Sequence, residues 1–311
     1  IAILGTFTSF FVTKVDSANA KRSFQWNFFS EVVQNFRWIK PQRGIFLSIL
    51  GLMYFGFLGG LFHLNILLYA RKIMGIEHFP LSVLLIILAL GIGVGSILAG
   101  KLSDQKIEFG FVPLGAIGLS VFSIILGFVH DSYLQVAVCL FLLGVSAGFF
   151  IIPLNAYVQF ASPPDRRGQI LATTNILTCA TGMFACLMLF IFKDIIQFNS
   201  AQIFVVAGIL TSVGAIYVCR LLPYAVVRLF VWVLAHTIYR IRVIDKHNVP
   251  DKGGALLVSN HVAFVDAILL VVTVQRPIRF LVNRDVYHTS IFRSIFKLGR
   301  AIPISRNDTP K

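Results

Sequence analysis

Six stretches of this chain are almost continuously apolar, near residues 44–70, 80–100, 110–130, 133–153, 169–192 and 202–219, and another apolar run occupies residues 1–13. A helix needs about 20 predominantly apolar residues to cross a bilayer. The pattern therefore predicts six whole membrane-spanning helices, preceded by the tail of another. None of the six runs contains Asp, Glu, Lys or Arg, which argues against a proton relay in this part of the chain. In or just beyond the runs stand His63, Asn65, Asn155, Gln159 and Asn175. Such residues are candidates for a transport path, and equally for hydrogen bonds between neighbouring helices.

The pattern changes in two places. In the connector 14–43, Phe24, Phe28, Phe29, Val32, Val33 and Phe36 recur at helical spacing opposite Gln25, Asn27, Glu31, Gln34 and Asn35, flanked by Trp26 and Trp38. This fits a helix lying in the membrane interface or one packed on the protein itself. Beyond Arg220, the apolar stretch 222–243 is interrupted by Pro223, Arg228, His236, Arg240 and Arg242 and carries Tyr224, Trp232 and Tyr239, as an interfacial helix would. The turn Pro250-Asp251-Lys252-Gly253-Gly254 follows. After it the pattern predicts a strand at 255–260, a helix near 264–274, a strand at 278–282, a helix at 289–298 and a strand at 301–305, the start of an α/β domain. The expected fold is thus an α-helical membrane bundle over 1–222 and the beginning of an α/β domain over 223–311.

Composition agrees. Hydrophobic residues make up 57% and charged residues 13%, against about 25% charged in soluble domains; the mean hydropathy is +0.83. The four cysteines, Cys139, Cys179, Cys186 and Cys219, all fall in apolar runs without metal-ligand spacing. They read as small core hydrophobes, with no disulfide framework and no metal site. The net charge of +14 points to anionic headgroups or a phosphorylated substrate and not to nucleic acid. Lys14, Lys21, Arg22, Arg37, Lys40, Arg43, Lys101, Lys106, Arg166 and Arg167 lie in one set of alternating loops, and only Arg71, Lys72 and Lys193 in the other. The richer set is expected to face the cytoplasm, and with it the segment after Arg220.

The candidate chemistry lies in Asn260-His261-Val262-Ala263-Phe264-Val265-Asp266, directly after the apolar Ala255-Leu256-Leu257-Val258. A His delivered to a turn with a carboxylate shortly after it can serve as a general base. Five residues along one straight helix would put the pair about 140° apart. His261 must therefore precede the helix, on a turn that Ser259-Asn260 can supply. The segment resembles the His-x4-Asp signature of the glycerolipid acyltransferases. Gly299-Arg300-Ala301-Ile302-Pro303-Ile304-Ser305-Arg306 resembles that family's second block. The resemblance implies His261 as base, Asp266 as its orienting carboxylate, and Arg300 and Arg306 on the acceptor's phosphate. Arg284 and Asp285 read as surface charges. The family's Glu-Gly-Thr block and its Pro-containing block have no counterpart here. The expectation is therefore a fragment, opening within a span at Ile1 and closing within a domain at Lys311, that is inactive as an acyltransferase alone.

A second resemblance lies in the membrane part. Small residues cluster at Gly91, Gly93, Gly95, Ala99 and Gly100, leading into Gly100-Lys101-Leu102-Ser103-Asp104-Gln105-Lys106. This resembles the Gly-x-Leu-x-Asp loop motif of the major facilitator superfamily, with Gly100 and Asp104 at its marked positions. It departs by continuing Ile107-Glu108-Phe109 in place of Gly-Arg-Arg. The stretch Gly148 to Tyr157, with Ile151-Ile152-Pro153-Leu154-Asn155-Ala156, and Arg167-Gly168-Gln169-Ile170-Leu171-Ala172 look like bacterial lysophospholipid transporters of that superfamily. Together the resemblances imply the C-terminal half of a major facilitator fold over 1–222 and a truncated glycerolipid acyltransferase domain over 223–311, in a multi-pass protein of the bacterial inner membrane that moves lysophospholipid inward and reacylates it. The acyl group would come from acyl carrier protein or coenzyme A thioester as co-substrate, with no other cofactor. Two alternatives stay open: a transporter whose appended domain is a non-catalytic docking module, and a lysophosphatidate acyltransferase whose membrane half only anchors it.

Overall fold

The structure is a computed structural model. It describes residues 2–11, 28–103, 107–244, 248–250, 253–260, 265–274, 278–289, 293, 296–297 and 299–305. Every apolar run is helical: α1 (Ala2–Ser9), α3 (Arg43–Lys72), α4 (Phe79–Leu102), α5 (Phe111–Leu126), α6 (Tyr133–Ala161), α7 (Arg167–Phe190) and α8 (Ser200–Leu221), with α2 (Phe28–Ile39) in the connector. Among the described residues, α3, α4, α6, α7 with its π-helical end Ile191–Ile195, and α8 are long and apolar enough to cross a membrane.

The run 110–130 is the exception. Its helix α5 has 16 residues, about 24 Å at about 1.5 Å per residue, short of a hydrocarbon core of about 30 Å. The helix tightens and stops where Gly127 N–H donates to Ile124 O (3.0 Å) and Phe128 N–H to Ile125 O (2.9 Å). The Tyr69 hydroxyl lies 2.9 Å from Leu126 O and 2.6 Å from Val129 O. Its single hydrogen can be donated to either one, a carbonyl that a further turn would otherwise have used. The opposite correction applies at 153: α6 runs on through Pro153 to Ala161. Proline removes a backbone donor, but membrane helices tolerate this because neighbouring groups satisfy the freed carbonyl.

The chain divides into two compact units. The first comprises Ile1–Leu61 and Leu154–Leu189. Its core holds Ile39, Ile45, Ile49, Leu52, Val158, Ile170 and Ala185. There α3 and α7 approach closely, since a Cβ on Gly60 would sit 2.7 Å from Gly182 O, and Thr181 Oγ1 donates to Met53 O (2.8 Å). Helix α2 packs on this unit. Phe36 meets Phe46 edge-on at 5.9 Å, the Arg166 guanidinium lies 5.3 Å over the Trp38 ring, and Asn35 Nδ2 donates to Thr173 Oγ1 (3.1 Å). Asn35, expected on the outward polar side, is instead a packing contact. Phe24 to Asn27 lie outside the described residues.

The second unit comprises Phe62–Pro153 and Phe190–Lys311. Its tightest contact joins α4 and α6 through Gly91 and Gly95 on one helix and Gly144 and Gly148 on the other. A Cβ on any of the four would collide with the facing backbone. Small residues allow such approach where lipid supplies no hydrophobic drive between helices. Gly93 and Gly100, from the same cluster, face open space. Helices α5 and α8 are tied by Ser120 Oγ to Gly208 O (3.0 Å) and Ser123 Oγ to Phe204 O (2.8 Å). Phe204 in turn packs against Phe62 and Tyr69, each at 5.4 Å.

In the same unit, the interrupted stretch after Arg220 forms α9 (Pro223–Ile238), which contacts α5, α8 and α10 (Val265–Thr273). The α/β portion continues with β1 (Leu281–Asn283), the unexpected short helix α11 (Arg284–Tyr287) and β2 (Ile302–Ile304). β1 and β2 pair in parallel, Leu281 opposite Ile302 and Asn283 opposite Ile304. β1 begins later than the 278 expected. The expected strand 255–260 is not formed: the segment is irregular, with Leu256 82% and Val258 86% exposed. A strand exists only through a ladder partner, and none pairs with these residues among those described. Parts of the expected helix 289–298 lie outside the described residues.

Candidate functional site

Only the end of the segment Asn260–Asp266 falls within α10 among the described residues. Asp266 sits half-buried in that helix's first turn, and α10 begins at Val265, four positions after His261. His261 itself lies outside the described residues, as does Arg306. Ser259 and Asn260, offered as the turn, are exposed and irregular.

Arg300 stands in the turn that feeds β2. Its N–H donates to Lys297 O (3.2 Å), Ala301 N–H donates to Phe296 O (2.9 Å) and Ile302 N–H to Phe280 O (2.8 Å). The turn holds Arg300 at φ 50°, a left-handed conformation that non-glycine residues seldom adopt. Its side chain is exposed and able to meet an anionic ligand. Arg284, expected with Asp285 as a surface charge, is exposed, as is Asp285. It follows the C-terminal end of β1, where Asn283 Oδ1 accepts from Asp285 N–H (3.0 Å). The parallel register puts that end beside Ile304, two positions before Arg306. Carboxyl ends of parallel strands are where ligands bind in open α/β sheets.

The polar residues of the membrane part divide into two kinds. Asn65 is wholly buried, and its Nδ2 donates to Ser200 O (2.9 Å). It is an interhelical tie. His63, Gln159 and Asn175 are exposed and Asn155 is half-buried; the last three share the first unit. Gly100 lies in the last turn of α4, facing open space, and Asp104 lies outside the described residues. The cysteines are all free. Cys179 and Cys186 are exposed on α7 rather than core, because the outside of a spanning helix is apolar too and hydrophobicity there does not imply burial.

Residues 1–186 match the family model of the Major Facilitator Superfamily. The chain belongs to that superfamily. In this Major Facilitator protein a second family model, Acyltransferase, matches residues 240–311, a stretch that includes His261, Asp266, Arg300 and Arg306. No curated protein matches the chain, and no solved structure does. This Major Facilitator protein is thus a multi-pass membrane protein carrying a transporter domain followed by an acyltransferase domain.

Proposed function

We propose that the protein takes lysophospholipid across the bacterial inner membrane and reacylates it on the cytoplasmic side. The observation that carries this reading is the pairing, in one polypeptide, of a Major Facilitator match with an acyltransferase match that encloses the His261-x4-Asp266 block. His261 takes the proton of the lysolipid hydroxyl as its oxygen attacks the carrier thioester. A C–O bond forms and the C–S bond breaks. The departing thiolate of acyl carrier protein or coenzyme A receives the proton from the imidazolium. Asp266 orients the ring and stabilises its charged form. Arg300 and Arg306 hold the acceptor's phosphate, which guanidinium forks match in geometry. Asn155, Gln159 and Asn175 line the lipid headgroup's path, and the loop from Gly100 through Asp104 faces the cytoplasm.

The test is made on the full-length protein reconstituted in vesicles, with lysophospholipid uptake and radiolabelled acyl transfer measured on one preparation. Both activities together support the reading. Uptake without transfer makes the appended domain a docking module. Transfer without uptake makes the membrane part an anchor.

A further inference from the structure

Helix α9, which leads into the acyltransferase domain, is held on the transporter domain by three different kinds of contact. Arg228 Nη2 lies 3.4 Å from Glu108 Oε2, in the segment between α4 and α5, and these side chains are only 15% and 21% exposed. Leu229 is buried with Ala99 at the end of α4 and Phe111 at the start of α5, against Phe149 and Ile152 of α6. Gly110 brings the backbones together: a Cβ there would sit 2.8 Å from Leu229 Cβ and 2.9 Å from Ala225 O. Gly110 N–H also donates to Glu108 Oε1 (3.3 Å), which fixes the carboxylate facing Arg228. On the far side of the helix Val227, Phe230 and Leu234 remain exposed. Helix α10, with Asp266 in its first turn, packs on α9.

A helix merely floating in the interface would extend its cation toward water and headgroups. Arg228 instead turns inward to a carboxylate 120 positions earlier in the chain. A mostly buried ion pair is costly to leave half-made, so it holds only while α9 and the α4–α5 segment keep their alignment. Leu229 supplies the adhesion and Gly110 the fit.

We propose that α9 is a docking strut that fixes the acyltransferase domain to the α4–α5 segment of the transporter domain, so that movement of that segment carries the catalytic helix with it. Transporters of alternating access work by rocking or gating of such segments. The proposal rests on the reading that this chain both transports and acylates.

Two measurements test it on the full protein. In a background with the four native cysteines replaced, spin labels at Lys101→Cys and Ile268→Cys report the distance between α4 and α10. The strut predicts one narrow distance distribution, broadened by Arg228→Glu and narrowed again by Glu108→Arg with Arg228→Glu. A broad distribution in the unaltered pair, or a narrow one that survives Arg228→Glu alone, overturns the strut. The second measurement is acyl transfer to lysophosphatidylethanolamine in phosphatidylethanolamine–phosphatidylglycerol vesicles. The lipid is supplied either on the acyltransferase side or only from the opposite side. Arg228→Glu should lower transfer from the opposite side by about 5- to 150-fold, the usual range of coupling between sites, and leave same-side transfer unchanged. Equal loss in both arms would reduce the ion pair to a structural support and overturn the coupling. Absence of transfer in the unaltered protein would sink the proposed function, while the distance measurement would still decide the strut.

Discussion

The α4–α6 seam and the segment 254–260 are both apolar, yet they could hardly differ more. In the seam, four glycines bring two backbones together until no side chain fits between them. In the segment, Leu256 and Val258 stand more than four-fifths exposed. The contrast separates two meanings of hydrophobicity. In a membrane helix an apolar residue reports the solvent it crosses, and the residues that decide packing are the small ones. In the α/β domain an apolar run reports a strand only if another strand is there to pair with it.

The sharpest way to break the comparison is functional. In the full-length protein His261→Ala should lower acyl transfer about 10²- to 10⁴-fold, the usual contribution of a general base, with lysophospholipid uptake unchanged in the same vesicles. If uptake falls equally, the two regions do not divide the labour. Next is Gly95→Leu, which should cost at least about 1–3 kcal/mol by overpacking and lower the unfolding temperature of the solubilised protein. Gly93→Leu, facing open space, serves as its control. Equal losses would mean that the seam is not where the glycines place it. Tyr69→Phe should cost about 1–3 kcal/mol, because a carbonyl at or just beyond the end of α5 loses its donor; the same thermal scan measures it. The smallest effect is expected at Leu256→Ser, within about 0.5 kcal/mol for an exposed position. A loss several times larger would show that residues 255–260 pair as a strand after all.

The helices were legible because each needs only its own run of residues. All six apolar stretches and the interrupted helix after Arg220 appear where the pattern puts them. Their ends were less legible. Pro153 reads as a terminus but lies inside α6, and α5 stops early because Tyr69, from another helix, serves a carbonyl at or just beyond its end. Arg228 read as a blemish in an interfacial helix, since nothing local announces Glu108. The strand expected at 301–305 forms as β2, but the other two failed or shifted for the same reason: register belongs to a pair, and residues 255–260 have no partner among those described. Of the candidate site, the requirement that His261 precede a helix followed from helical angle alone; Asp266 stands in the first turn of α10, and His261 lies outside the described residues. The left-handed turn at Arg300 left no trace in its neighbours.

The glycine seam also acts as an axial index. Gly91 and Gly95 are one turn apart on α4, as are Gly144 and Gly148 on α6. Sliding α4 by one turn in one direction would bring Ile87 to the place of Gly91, against the Phe141 carbonyl; sliding it the other way would bring Ala99 to the place of Gly95, against Val145. Either displacement drives a side chain into a backbone. The two helices can tilt about their contact, but they share a single permitted lengthwise setting, chosen by the absence of four Cβ atoms.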